Sequence, residues 1–129
     1  MAHRIDEKAR YSRTHEWVRR EGAEAVIGVS DYAQDHLSDV VFIELPAPGK
    51  EIAVGKPCMV IESVKAAEEV FAPVSGTVVR ANPALDKTPE LVNKDPYGEG
   101  WLARVTLKDP AELESLMDAA AYRAFLATL

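Results

Sequence analysis

From Trp17 to Leu107 the chain is a succession of short β-like runs, each cut off by turn residues. That pattern leaves little room for anything but a mainly β domain built from antiparallel strands. Trp17-Val18-Arg19 leads through Glu21-Gly22 into A-V-I-G-V at 25–29, which predicts a hairpin. A strand over 40–45 would place Val41, Ile43 and Leu45 on one face and Val40, Phe42 and Glu44 on the other. It stops at P-A-P-G, 46–49, where two prolines remove ladder donors and glycine permits a tight turn. Gly55-Lys56-Pro57 opens a strand through C-M-V-I at 58–61, V-F-A descends at 70–72, and Gly76 opens another run. Two similar blocks, each a glycine turn followed by a β-branched run, therefore flank residues 62–69. The implied architecture is a quasi-two-fold sandwich of two small sheets.

Helical signals are confined to a few places. Asp31 is placed to cap a short helix over 32–37, with Gln34 echoing a capping box. Thr88 and Pro89 suggest the cap and first residue of a helical turn ending at Val92, followed by a loop over 93–100 and a last strand over 101–107. The period changes after Leu107. Asp109-Pro110-Ala111-Glu112 combines an N-cap, a proline at the first helical position and an early glutamate, and Leu113, Leu116 and Met117 follow at helical spacing. Asp118 can cap a second helix with Tyr122, Phe125, Leu126 and Leu129 on one stripe. We read the stripe as packing on the sandwich, with a partner-docking helix as the alternative.

At 129 residues the chain is one domain's worth. The expected organisation is a single domain over 1–129, with a β-sandwich core at 11–107 and C-terminal helices at 109–129. Its 15 basic and 21 acidic residues give a formal charge of −6, which argues against binding to a nucleic-acid backbone. No apolar run approaches the roughly 18–20 residues of a membrane span. The N-terminus, M-A-H-R-I-D-E-K-A-R, has no apolar core and does not read as a secretory signal. A bacterial cytoplasmic protein fits best, with a processed organellar matrix form as the alternative. Cys58 is the only cysteine and reads as a small buried hydrophobe. His3, His15 and His36 lack metal-ligand spacing, so no metal is expected. Any dithiol chemistry must come from a cofactor.

Lys65 is the residue with the most informative position. It falls in the turn between 58–61 and 70–72, at the tip of a hairpin, where its amine is held away from the body of the domain. A solubilising turn lysine would look the same. The surrounding blocks decide otherwise: T-H-E-W-V at 14–18, D-Y-A-Q-D-H-L at 31–37, D-V-V-F-I-E-L-P at 39–46, E-S-V-K-A at 62–66, A-P-V-S-G at 72–76 and N-K-D-P-Y-G-E-G-W at 93–101.

In that order and spacing the six blocks resemble the H proteins of the glycine cleavage system, over about residues 11–126. The segment around Lys65 also resembles lipoyl and biotinyl carrier domains more widely, which implies a lipoyl-type barrel-sandwich hybrid fold. Biotinyl domains usually present Met-Lys-Met and 2-oxoacid dehydrogenase lipoyl domains Asp-Lys-Ala. Here Val64-Lys65-Ala66, preceded by Glu62-Ser63, is similar to the H-protein pattern.

The resemblance implies lipoate in amide linkage to Lys65, which removes one positive charge and takes the net charge from −6 to −7. It implies a carrier with no turnover of its own. A pyridoxal-phosphate glycine decarboxylase loads the arm with an aminomethyl group, and a folate-dependent aminomethyltransferase takes the carbon and releases ammonia. A flavin dihydrolipoamide dehydrogenase reoxidises the dithiol, and lipoylating enzymes install the arm. The carrier is expected to act as a monomer. Family members shelter the loaded arm in a surface cleft, and the residues implied here are Glu16, His36 and Glu69. Glu16 could otherwise be a solvated carboxylate, and His36 a cation at a helix C-terminus. Glu69 stands where the family often has aspartate, and Ser38 where it usually has glycine. Two other readings are a relay protein that donates lipoyl groups to other enzymes, and a β-sandwich scaffold whose Lys65 is never modified.

Overall fold

The computed structural model describes residues 3–129. Among the described residues nine strands form two antiparallel sheets. Strands β1 (Arg10–Tyr11), β2 (Glu16–Glu21), β3 (Glu24–Val29), β5 (Glu51–Ile52), β8 (Gly76–Ala81) and β9 (Ala103–Leu107) make the larger, in the order β1-β2-β3-β9-β8-β5. Strands β4 (Val40–Glu44), β6 (Pro57–Ser63) and β7 (Ala67–Phe71) make the smaller, in the order β4-β6-β7. The two blocks that flank Lys65 in sequence thus enter opposite sheets, β6 in one and β8 in the other. Between the sheets lies an aliphatic core that includes Val18, Ile27, Ile43, Ile61, Val70 and Val105.

The β2–β3 hairpin forms as its Glu-Gly turn dictates, with Trp17 opposite Gly28 and Val18 opposite Ile27. Period two sends Val18 and Ile27 into the aliphatic core and Trp17 to the other face. A Cβ on Gly28 would come within 2.5 Å of the Trp17 ring, so only glycine admits the indole there. On that outer face Tyr11, Trp17, Val26, Ala119 and Tyr122 form a second core. Tyr122 stacks on Tyr11 with ring centroids 4.2 Å apart.

Several elements differ from the sequence expectations. In β4 the pairing with β6 shifts between Val40 and Phe42, and this bulge breaks the alternation. Val40 and Ile43 are buried while Val41 and Phe42 are both about half exposed. Helix α1 (Asp31–Leu37) is capped by Ser30, one residue before the expected cap, because the Ser30 hydroxyl accepts from the Ala33 amide. Gln34 donates to the Asp31 carboxylate, so no capping box closes. Thr88 ends helix α2 (Ala84–Lys87) instead of starting one, and the next turn, α3 (Leu91–Lys94), begins later, after Glu90. The first C-terminal helix is a 3-10 segment, Pro110–Ser115, with Asp109 as its cap. It ends at Leu116 because Met117 pairs with Tyr11 as a bridge to the sheet. Helix α4 (Ala119–Leu126) carries a buried Tyr122 and partly buried Phe125 and Leu126. Leu129 lies past its end and is exposed, so the stripe is one residue shorter than its spacing implied.

Candidate functional site

Lys65 stands in the turn that joins β6 to β7, where Glu62 pairs with Ala67 and the chain reverses through Val64, Lys65 and Ala66. Ser63 organises that reversal. Its hydroxyl accepts from the amides of Lys65 and Ala66 and donates to the Ala66 carbonyl, all at 3.2 Å, and its own amide donates to that same carbonyl at 2.8 Å. The Val64 amide donates to the Asp39 carbonyl and ties the tip to the start of β4. Residues 64–66 are exposed. The turn is therefore fixed in its backbone while the lysine side chain is open to solvent.

The Lys65 ammonium donates to the main-chain carbonyl of His36 at 2.9 Å. That carbonyl belongs to the last turn of α1, whose negative end favours a cation. The helix stops just beyond, at Ser38, with φ 69° and ψ −158°, a backbone region in which glycine is the unstrained choice. Asn93 holds this connection: it donates to the Ser38 carbonyl and accepts from the Val40 amide.

Beside the hairpin lies a cleft of about 250 Å3. Its polar wall carries Thr14, Glu16, His36, Glu68 and Glu69, and its apolar wall carries Val29, Ala33, Leu37, Ile61 and Val70. All three residues singled out in the sequence as cleft candidates line it. Glu68, Thr14 and the apolar wall were not foreseen. Thr14 sits inside the T-H-E-W block and had a signal, whereas Glu68 neighbours Glu69 on a strand whose pairing alone decides what faces the cleft.

The three candidates are placed differently. Glu16 is buried, only 3% exposed, and its carboxylate is already bonded by the protein. One oxygen accepts from the hydroxyls of Ser12 and Thr14, the other from the Phe71 amide at 3.2 Å. Each carboxylate oxygen has about two acceptor sites, so one site on the second oxygen is left. Burial pushes the Glu16 carboxyl above its usual range, opposed by the bonds from Thr14, Ser12 and Phe71. His36 and Glu69 are exposed, and the His36 ring packs on Tyr32 with centroids 4.2 Å apart. Cys58 is buried nearby, and burial, together with the charge of Glu16, pushes its thiol up to about 11. It is inert as a thiolate at neutral pH.

This arrangement offers an accessible primary amine on a rigid turn, beside a trough that is apolar on one side and acidic on the other. The match with known proteins is extensive. The family model described as glycine cleavage H-protein matches residues 9–129. A glycine cleavage system H protein of Parvibaculum lavamentivorans is 52% identical over 120 residues, 93% of this chain and 96% of that one. One from Anaeromyxobacter sp. (strain K) is 50% identical over 122 residues, 95% of each chain. The crystal structure of a glycine cleavage system H protein from Mycobacterium marinum superposes with a TM-score of 0.85 at 30% identity, covering 97% of this chain and all of the other. Matched along nearly its whole length in both sequence and fold, this chain belongs to the glycine cleavage H-protein family.

Proposed function

We propose that the chain is the lipoyl-bearing carrier of the glycine cleavage system, with lipoate in amide linkage to Lys65 and no catalytic turnover of its own. The observation that carries this reading is the placement of Lys65: exposed at the hairpin tip, its amine 2.9 Å from the His36 carbonyl, beside the two-sided cleft. A lysine amine forms a stable amide and its flexible stem gives reach. The residues present fit such an arm. Val29, Ala33, Leu37, Ile61 and Val70 can cover its hydrocarbon part, and Glu16, Glu68 and Glu69 can accept hydrogen bonds from an ammonium on its cargo.

When bound, the lipoyl group supplies a redox couple and a thiol that carries a substrate fragment, chemistry the polypeptide lacks. The protein's own part is to present, shelter and release. Ser63 fixes the turn for the lipoylating enzymes. Val41, Phe42 and Val64 leave apolar surface open around the tip for visiting enzymes. The cleft residues exclude water from the cargo between visits. The partners are the pyridoxal-phosphate glycine decarboxylase, the folate-dependent aminomethyltransferase and the flavin dihydrolipoamide dehydrogenase. The aminomethyl group passes from the first to the second, and electrons pass to the third. Among the described residues no helix is long and apolar enough to cross a membrane, and the compartment we assign is the bacterial cytoplasm.

The test is the intact mass of the chain from its native source, followed by peptide mapping. One lipoyl increment on Lys65 is expected. An unmodified native chain, or the increment on Lys56 or Lys87, overturns the assignment. Lys65→Arg should abolish glycine cleavage in a reconstituted system, because guanidinium does not form the lipoyl amide.

A further inference from the structure

Two hollows lie on either side of α1. One is the cleft, with Ala33, His36 and Leu37 on its helical wall. The other is a groove of about 570 Å3 between α1 and the C-terminal segment, bordered by Ile5, Tyr32, His36, Leu126 and Leu129. His36 lines both, and the Lys65 nitrogen lies 2.9 Å from its carbonyl. A group attached to that nitrogen reaches either side by rotation about the lysine side-chain bonds. Tyr32 is one helical turn from His36, about 5.4 Å, which is less than the span of an acyl chain ending in a five-membered ring.

The two sides differ in charge. Glu16, Glu68 and Glu69 line the cleft, and none of them takes part in a salt bridge among the described residues. No Asp or Glu side chain is among the residues that line the groove. Arg123 is paired with Glu7 at 2.6 Å, and the His3 ring is hydrogen-bonded to Asp35 at 3.0 Å. Leu129 is 62% exposed there, so apolar surface of the groove is left open to water. A neutral arm gains by covering Ile5, Leu126 and Leu129. Lying in the cleft it would desolvate the exposed carboxylates of Glu68 and Glu69 and give them no partner. An arm that bears an ammonium has the opposite preference, since the cleft offers it three glutamate side chains outside any salt bridge.

Resting on the reading of Lys65 as a lipoyl-lysine, we propose that the groove of Ile5, Tyr32, Leu126 and Leu129 is a second docking site, occupied by the neutral, disulfide-closed arm. The cleft on the other side of α1 is the shelter already assigned to an arm that carries an ammonium. Which face of α1 is covered then reports the charge on the arm to a visiting enzyme.

The experiment uses the full chain lipoylated with 13C-labelled lipoate, its single lipoyl increment first verified by intact mass. Isotope-filtered NOEs from the oxidised arm are expected to Tyr32, Leu126 and Leu129, and not to Val29 or Ile61. Leu129→Glu changes an exposed position and leaves the fold intact. It should weaken the NOEs to Tyr32 and speed reduction of the arm by a small phosphine severalfold. NOEs confined to Val29, Ile61 and Val70, or none to any residue of either hollow, overturn the second site while leaving the carrier reading in place. A chain that its lipoylating enzyme never modifies overturns the carrier reading and the second site together.

Discussion

Between the sheets, Ile27, Ile61, Val70 and Val105 pack as aliphatic side chains sent inward by strand alternation. On the outer face of the larger sheet, Tyr11, Trp17 and Tyr122 pack as aromatic rings whose polar ends are all bonded. The Tyr11 hydroxyl meets the Asp6 backbone, that of Tyr122 meets Ser30 and His15, and the Trp17 indole donates to the Pro96 carbonyl. The first core depends on shape and apolar area. The second depends in addition on a set of hydrogen bonds that must all form at once, several of them between distant segments, up to 107 residues apart for His15 and Tyr122. The difference teaches that the C-terminal helix is a lid on a polar-edged core instead of one more layer of the sandwich.

That contrast can be broken most directly by removing the lid. Deleting residues 109–129 takes away Tyr122 and uncovers Tyr11 and Trp17, so a lower melting temperature and aggregation are expected. A truncated chain that melts like the full one and stays monomeric would make the helices a docking appendage. Next in size is Tyr122→Ala, expected to cost about 3–5 kcal/mol in chemical denaturation, as for other large buried aromatics. Tyr122→Phe separates the two contributions. It keeps the ring but leaves Ser30 and His15 without their partner, and a cost of about 1–3 kcal/mol is expected. A cost near zero would mean that the second core, like the first, rests on packing alone.

Smaller effects sharpen the role of Glu16. Its carboxyl is pushed up in the fold by burial, so the folded chain holds that proton more tightly than the unfolded one. Its stabilising contribution is complete below the ordinary value of 4.5 and is lost as pH rises through the folded value. Glu16→Gln should therefore gain stability relative to wild type between acid pH and neutrality, and parallel pH curves would count against the burial argument. The same variant should speed ammonia release from the isolated aminomethyl-loaded carrier, while lipoylation and reoxidation stay nearly unchanged. Equal release rates would remove Glu16 from the shelter and leave it as the residue that pins β7 through the Phe71 amide. Least of all, Lys65→Arg at the exposed tip should change stability by no more than about half a kcal/mol.

What the chain's own sequence determined is local. Glycine and proline positions set where strands stop, the Glu-Gly turn set the β2–β3 hairpin, and the matching runs around Glu62-Ser63-Val64-Lys65-Ala66 set the lysine at a tip. These follow from backbone stereochemistry and period-two alternation, which act within a few residues. The tertiary structure alone decided the rest. The bulge at Val41 arises from pairing with β6, and the 3-10 turn ends where Met117 must reach Tyr11. Trp17 and Val18 are both buried because separate cores cover the two faces of one strand, which no single-strand pattern specifies. The cleft joins Glu16, His36 and Glu69 from three elements, and its wall includes Glu68 because the edge strand β7 is covered on neither side at that end. Charge, burial and proximity at that site are products of the packing of distant segments, so they became legible only once the sheets were assembled.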